Sequence, residues 1–275
     1  VKIVEAIMTN NPCYKTGKKI TVKGLMLHSV GTSQPSAMVF VERWNKSTYT
    51  RACVHGFIDA NTGVIYQTLP WNHRGWHAGG KANGTHIGVE MCEPGTIKYT
   101  GSGAKFTILD KKDAIECAER TYKSAVELYA MLCKKYKLDP MKDICSHKEG
   151  HALGIASNHG DPEHLWKGLG LPYTMDTFRR DVKIQMAAGA GTTTPKKEDT
   201  FMIEFKKMQK GSKGEDVRAL QYALLGRGYK LPKYGADADY GAETVKAVKA
   251  FQKAEGLTQD GVAGEATLKK LYAGK

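Results

Sequence analysis

The residues from Ser146 to Trp166, SHKEGHALGIASNHGDPEHLW, carry four histidines and three acidic residues. Little in this stretch can pack as the core of a helix or strand. Gly150, Gly154, Ser157, Asn158, Gly160 and Pro162 let the backbone turn between the polar groups. The segment is therefore expected to be loop-like and to fold around an ion. Imidazole and carboxylate are the ligands zinc takes when one position stays open to water.

Two further pieces lie upstream. Val22 to Val30 (VKGLMLHSV) reads as a short buried strand that delivers His28 at its end before turning at Gly31. A strand end is a rigid place from which to aim a ligand. His86 to Glu93 (HIGVEMCE) is an apolar strand with Glu90 in its middle. A charge there is costly unless it faces a cavity, a metal or a partner. A buried carboxylate has its pKa moved toward neutrality, as a general base requires.

The order of strand-borne histidine, I-G-V-E and S-H…S-N-H-G-D-P resembles the zinc-dependent N-acetylmuramoyl-L-alanine amidases of the type 2 family, which share their fold with the peptidoglycan recognition proteins. The resemblance covers roughly Lys23 to Trp166. It implies one Zn2+ held by His28, His147 and Asp161, with Glu90 at the catalytic glutamate. His151, four residues after His147, is an alternative ligand; the family's spacing favours His147. Where the family often has a lysine two residues before the last ligand, this chain has His159, which can donate the same hydrogen bond to an oxyanion. Where some relatives carry a tyrosine, this chain has Val54 followed by His55. His77, in W-H-A-G-G, matches a substrate-contacting position of the family.

Elsewhere the spacing predicts scaffold. Ser36–Lys46 has helical spacing. Ala52–Asp59 and Gly63–Leu69 read as a hairpin joined by Ala60-Asn61-Thr62. Trp71–Gly84 is a glycine-rich polar loop suited to a sugar- or peptide-binding wall. In Lys111–Leu138 the residues Ile115, Ala118, Tyr122, Ala125, Tyr129, Leu132 and Tyr136 make one apolar helix face. Alternating strands and helices imply an α/β layer structure, a mixed central sheet flanked by helices with the one zinc site at an end of the sheet.

Gly189–Thr200 (GAGTTTPKKEDT) reads as an exposed linker. It divides a catalytic domain, 1–186, from a small C-terminal unit, 201–275, with 187–200 between them. That unit repeats D-x-x-x-G-x-x-T at Asp237–Thr244 and Asp260–Thr267. It carries matching apolar stripes, Val217-Leu220-Gln221-Leu224 and Val245-Val248-Phe251-Gln252. It resembles the helical type 1 peptidoglycan-binding domain over roughly Met208 to Leu271, implying three helices that tether a hydrolase to wall material.

The net charge of +13 divides into roughly +8 before the linker and +5 after it. A basic surface suits a polyanion. Zinc-finger spacing, an RNA-binding signature and a dense basic stripe with aromatics are all lacking, so anionic wall polymers fit better than nucleic acid. No run of eighteen apolar residues predicts membrane insertion. The start, VKIVEAIMT, is too short and too charged for a signal peptide. The expectation is synthesis in a cytoplasm with release at lysis, as for a phage or prophage endolysin, or export followed by processing. Six cysteines without a C-x-x-C pair are expected to be reduced core thiols, Cys145 near the ligands included.

The expected reaction is hydrolysis of the amide joining N-acetylmuramic acid to L-alanine in peptidoglycan. Glu90 would serve as base and His159 as oxyanion donor. A zinc endopeptidase acting on cross-bridges and a non-catalytic recognition protein are the alternatives.

Overall fold

The computed structural model describes residues 2–101, 104–188 and 207–272. They fall into two compact units, one within residues 7–191 and one made of residues 2–6 with those within 192–275. Chain order begins with β1 (Ile3–Glu5), α1 (Pro12–Lys15), β2 (Gly24–Ser29), α2 (Ala37–Trp44), β3 (Gly56–Ile58) and β4 (Ile65–Gln67). A 3-10 turn (Lys81–Gly84) precedes β5 (His86–Met91), β6 (Ile97–Tyr99) and β7 (Phe106–Ile108). Then come α3 (Lys111–Tyr136), α4 (Pro140–Asp143), β8 (Ile144–Ser146), α5 (His147–Ala152), α6 (Glu163–Leu169) and α7 (Met175–Ala188).

Five strands of the first unit lie in one mixed sheet in the order β4-β3-β5-β2-β8, and β6 and β7 form a separate pair. β3, β5, β2 and β8 run parallel, whereas β3 and β4 make an antiparallel hairpin. Parallel strands are covered on both faces, which explains the continuous apolar runs Leu25-Met26-Leu27 and Ile87-Gly88-Val89. On one face Tyr129 of α3 donates its hydroxyl to the Met26 carbonyl at 2.8 Å. Phe40 of α2 stacks on Phe57 of β3 with ring centroids 5.1 Å apart.

The long helix forms where its periodicity predicts it. The Asp110 side chain caps it by accepting from Lys112 N and Asp113 N. Ala118, Tyr122, Ala125, Tyr129 and Leu132 are buried, and Ile115 and Tyr136 sit at the half-buried margin. The hairpin is shorter than expected at both strands. Cys53 leaves it to exchange both backbone hydrogen bonds with Trp76, at 3.0 and 2.8 Å. The six cysteines are free and buried.

The expectation of a loop from Ser146 to Trp166 is corrected, because α5 and most of α6 lie inside it. Capping chemistry supplies what apolar periodicity lacks. Ser146 Oγ accepts from Glu149 N and Glu149 Oε2 accepts from Ser146 N, both at 3.0 Å, a reciprocal capping box. Arg179 of α7 pairs with the same carboxylate and donates from Nε to the Ile144 carbonyl at 2.9 Å.

The second unit holds three helices among its described residues, α8 (Glu215–Gly226), α9 (Ala242–Ala254) and α10 (Glu265–Tyr272). The linker expected at 189–200 lies outside the described residues. The two sequence repeats close in the same way, each on a buried glutamine. Gln221 Nε2 donates to Asp237 Oδ1 (2.8 Å), the Asp239 carbonyl (2.9 Å) and Thr244 Oγ1 (2.9 Å), and its Oε1 accepts from Ala238 N. Gln252 Nε2 donates to Asp260 Oδ1 (2.7 Å), the Val262 carbonyl (3.0 Å) and Thr267 Oγ1 (3.1 Å), and its Oε1 accepts from Gly261 N. The Asp and Thr of each repeat are thus the two ends of one clasp. Replacing Gln252 by Leu keeps the volume and removes four bonds, two of them from the buried Gly261 and Thr267. Chemical denaturation of the full chain is expected to show about 2–3 kcal/mol less stability for this unit; a change under about 0.5 kcal/mol would show that the clasp does not hold the turn.

Candidate active site

Parallel pairing sets His28, Glu90 and His147 side by side at the carboxyl ends of three adjacent strands. His28 of β2 is in register with Glu90 of β5. Leu27 is in register with Ser146 of β8, so the next step brings His147 opposite His28. Open α/β sheets commonly bind ligands at these strand ends. Asp161 enters from the turn between α5 and α6, where its Oδ2 accepts from Ser29 N at 3.4 Å.

The three groups converge. His28 Nδ1 lies 3.1 Å from His147 Nδ1 and 3.2 Å from Asp161 Oδ2, and His147 Nδ1 lies 3.6 Å from Asp161 Oδ1. All three residues are buried, and their ligand atoms lie within 4.8 Å of one another. A tetrahedral ion with ligands at about 2.0–2.1 Å needs donor atoms about 3.3–3.4 Å apart, so this set can hold a metal ion. Burial works against the charge on Asp161, but the hydrogen bond and charge of His28, with His147, hold its carboxyl below the usual range. His28 is likewise raised despite burial, by Asp161 and the charge of Glu90. Burial and the neighbouring His28 push His147 down to about 4.

Glu90 is half-buried as a residue, yet its Oε2 is buried without a hydrogen-bond partner. Burial pushes its carboxyl up to about 8, with Asp161 and Glu93 adding to the shift and His28 opposing it. His159 is exposed; its ring stands 4.5 Å from that of His147, and its Nδ1 is 3.1 Å from Ser157 Oγ. His151 is exposed and outside the cluster, with Nδ1 3.4 Å from the Ala156 carbonyl. His77 lies behind His28 with 8% exposure, Nδ1 3.0 Å from His28 Nε2 and Nε2 3.1 Å from the His86 carbonyl. Val54 is buried, and His55 is tied to backbone at both nitrogens.

Several neighbours escaped sequence reasoning. Glu93 is fully buried; it accepts from Gly31 N at 3.1 Å and from the Tyr99 hydroxyl at 2.6 Å. His164 Nε2 reaches the same hydroxyl at 2.7 Å. Burial pushes Glu93 up to about 7. A second acid just past the apolar run was the available signal. Ser157 and Asn83 left no signal beyond being polar in glycine-rich stretches.

The N-acetylmuramoyl-L-alanine amidase family matches residues 18–164, more than half of the chain. The chain belongs to this family. The peptidoglycan binding domain family matches residues 213–271. N-acetylmuramoyl-L-alanine amidase CwlL of Bacillus licheniformis is 30% identical over 294 residues, covering 99% of this chain and 72% of that protein. N-acetylmuramoyl-L-alanine amidase CwlH of Bacillus subtilis (strain 168) is 29% identical over 205 residues, covering 71% and 68%. The crystal structure of Staphylococcus aureus hydrolase AmiA in complex with its ligand superposes with a TM-score of 0.53 at 18% identity, over 71% of this chain and 88% of that one. At that identity the likeness establishes a shared fold.

A cation held only by the folded cluster must stabilise the amidase by linkage. At free metal about 100-fold above its dissociation constant the gain is about 2.7 kcal/mol. Calorimetry of the metal-free chain titrated with zinc is expected to show that gain in the wild type and to lose it in Asp161→Ala; an equal gain in both would remove Asp161 from the site.

Proposed function

We infer that this chain hydrolyses the amide joining N-acetylmuramic acid to L-alanine in bacterial peptidoglycan, using zinc held by His28, His147 and Asp161. The observation that carries this reading is the convergence of two imidazole nitrogens and a carboxylate beside a buried glutamate, in a chain of the amidase family. Two nitrogens and an oxygen leave one tetrahedral position open, a catalytic rather than structural arrangement. Bound there, zinc supplies Lewis acidity that polarises an amide carbonyl and acidifies water.

This chain's residues then have separate tasks. Glu90 has an unpartnered buried oxygen and a carboxyl shifted toward neutrality, properties suited to taking a proton from the attacking water. The water oxygen bonds to the carbonyl carbon, the C–N bond breaks, and Glu90 returns that proton to the leaving L-alanine nitrogen. His159 is assigned the hydrogen bond to the oxyanion, a place where a preorganised donor matters most. The second unit carries no chemistry in this scheme. It holds the enzyme on an insoluble polymer, which raises the local concentration of bonds to cut. The net charge of +13 adds attraction to anionic wall polymers. Action at the cell wall fits the described residues, which include no helix long and apolar enough to cross a membrane.

Mass spectrometry of soluble products from purified peptidoglycan, with and without a chelator, tests the reading. Chelator-sensitive release of stem peptides with a free L-alanine amino terminus is expected. New termini elsewhere in the peptide would make the protein an endopeptidase, and binding without products would make it a recognition protein. Glu90→Gln is expected to keep zinc and lose at least about 100-fold in kcat; full activity would remove Glu90 as the base.

A further inference from the structure

We propose that His77 and Ser157 are positioning residues that fix the ring tautomers of His28 and His147, so that both rings turn an Nδ1 lone pair toward one cation. The proposal deepens the zinc reading and rests on it.

The hydrogen-bond chain through His77 has one consistent direction. The His86 carbonyl can only accept, so the 3.1 Å contact makes His77 Nε2 the donor. A neutral imidazole protonated at one nitrogen carries its lone pair on the other. His77 Nδ1 must then accept, and His28 Nε2, 3.0 Å away, must donate. The remaining nitrogen of a neutral His28, Nδ1, carries the lone pair and faces His147 and Asp161.

Ser157 does the same for the second ring. Its hydroxyl donates to the Ala78 carbonyl at 3.2 Å. Its two lone pairs then accept from His147 Nε2, also at 3.2 Å, and from His159 Nδ1 at 3.1 Å, which leaves the lone pair on His147 Nδ1. Two lone pairs 3.1 Å apart repel unless a cation or proton lies between them. Outer partners that orient metal-binding histidines in this way commonly contribute 10–100-fold in metal affinity.

One loop anchors both chains. His77 N and Ala78 N each donate to Asn83 Oδ1 at 2.8 Å, and Ser157 N donates to the Ala78 carbonyl at 2.8 Å. Close approach depends on missing side chains. A Cβ on Gly88 would stand 2.3 Å from His77 Nδ1, and one on Gly79 would stand 2.6 Å from Ser157 Oγ. The glycine of I-G-V-E therefore makes room for the histidine of W-H-A-G-G.

The test compares His77→Leu, His77→Asn and Ser157→Ala in the full chain. Leu fills the space; Asn keeps an acceptor near the Nδ1 position. Zinc affinity, read by competition with a chromophoric chelator, is expected to fall about 10–100-fold in His77→Leu and to be largely restored in His77→Asn. A space-filling role predicts the reverse order, and that result would overturn the proposal. Nitrogen-15 imidazole spectra of the metal-free wild type, at a pH high enough to neutralise His28, are expected to show His28 and His147 protonated at Nε2. They should show mixed tautomers at His28 in His77→Leu and at His147 in Ser157→Ala. Protonation at Nδ1 in the wild type, or unchanged tautomers in the variants, would overturn it. If His77→Leu does not fold, wild-type tautomers and Ser157→Ala decide. Wild-type chain that binds no zinc but has the Nε2-protonated rings would sink the zinc reading and leave the tautomer assignment standing.

Discussion

Ionisable groups buried at the end of a parallel sheet set the terms for everything around them. His28 of β2 lies in register with Glu90 of β5, and His147 follows directly on β8 as the first residue of α5, all at the end of largely apolar strands. Removing such groups from water costs several kcal/mol each unless they are paired or bind a metal. The surrounding structure supplies partners. Asp161 is brought in by the α5–α6 turn, His77 and Ser157 take the outer nitrogens of the two rings, and Glu93 is satisfied by Gly31 and Tyr99. Glu90 Oε2 is left without such a partner, and it is the group assigned to move a proton.

Much of this was legible because the chemistry contradicts the local pattern. A histidine and a glutamate inside apolar parallel strands are anomalies that burial arguments find at once. The histidine-rich segment drew attention for the same reason, but its helices did not. α5 is built from a capping box and the Arg179–Glu149 pair rather than from an apolar stripe, and periodicity is blind to that. His77 illustrates a different limit. The resemblance gives it a substrate-contacting position, and sequence carries no sign of the contacts it makes in the structure, with His28 and the His86 carbonyl. The rings meet because Gly88 of β5 has no side chain in the space that His77 fills.

In the second unit the sequence repeat has a physical meaning that spacing alone could not give. Each D-x-x-x-G-x-x-T turn is closed by a glutamine on the preceding helix, Gln221 for one and Gln252 for the other. The glutamines had appeared only as members of apolar stripes. Buried with all their hydrogen-bonding capacity near use, they let a small unit with a limited apolar core fix its turns. The two units differ in what they carry: one holds the buried cluster of His28, His147 and Asp161, and the other matches the peptidoglycan binding domain family.

The chemistry assigned to Glu90 and His159 depends on one zinc ion held among His28, His147 and Asp161 with a position left open. Zinc-edge X-ray absorption of the loaded chain, alongside Asp161→Ala, tests it most directly. Two imidazole nitrogens and light-atom oxygen donors at about 2.0–2.1 Å, with no sulfur, are expected, with loss of that site in the variant. A sulfur shell from one of the cysteines, a single imidazole, or an unchanged spectrum without Asp161 would contradict it.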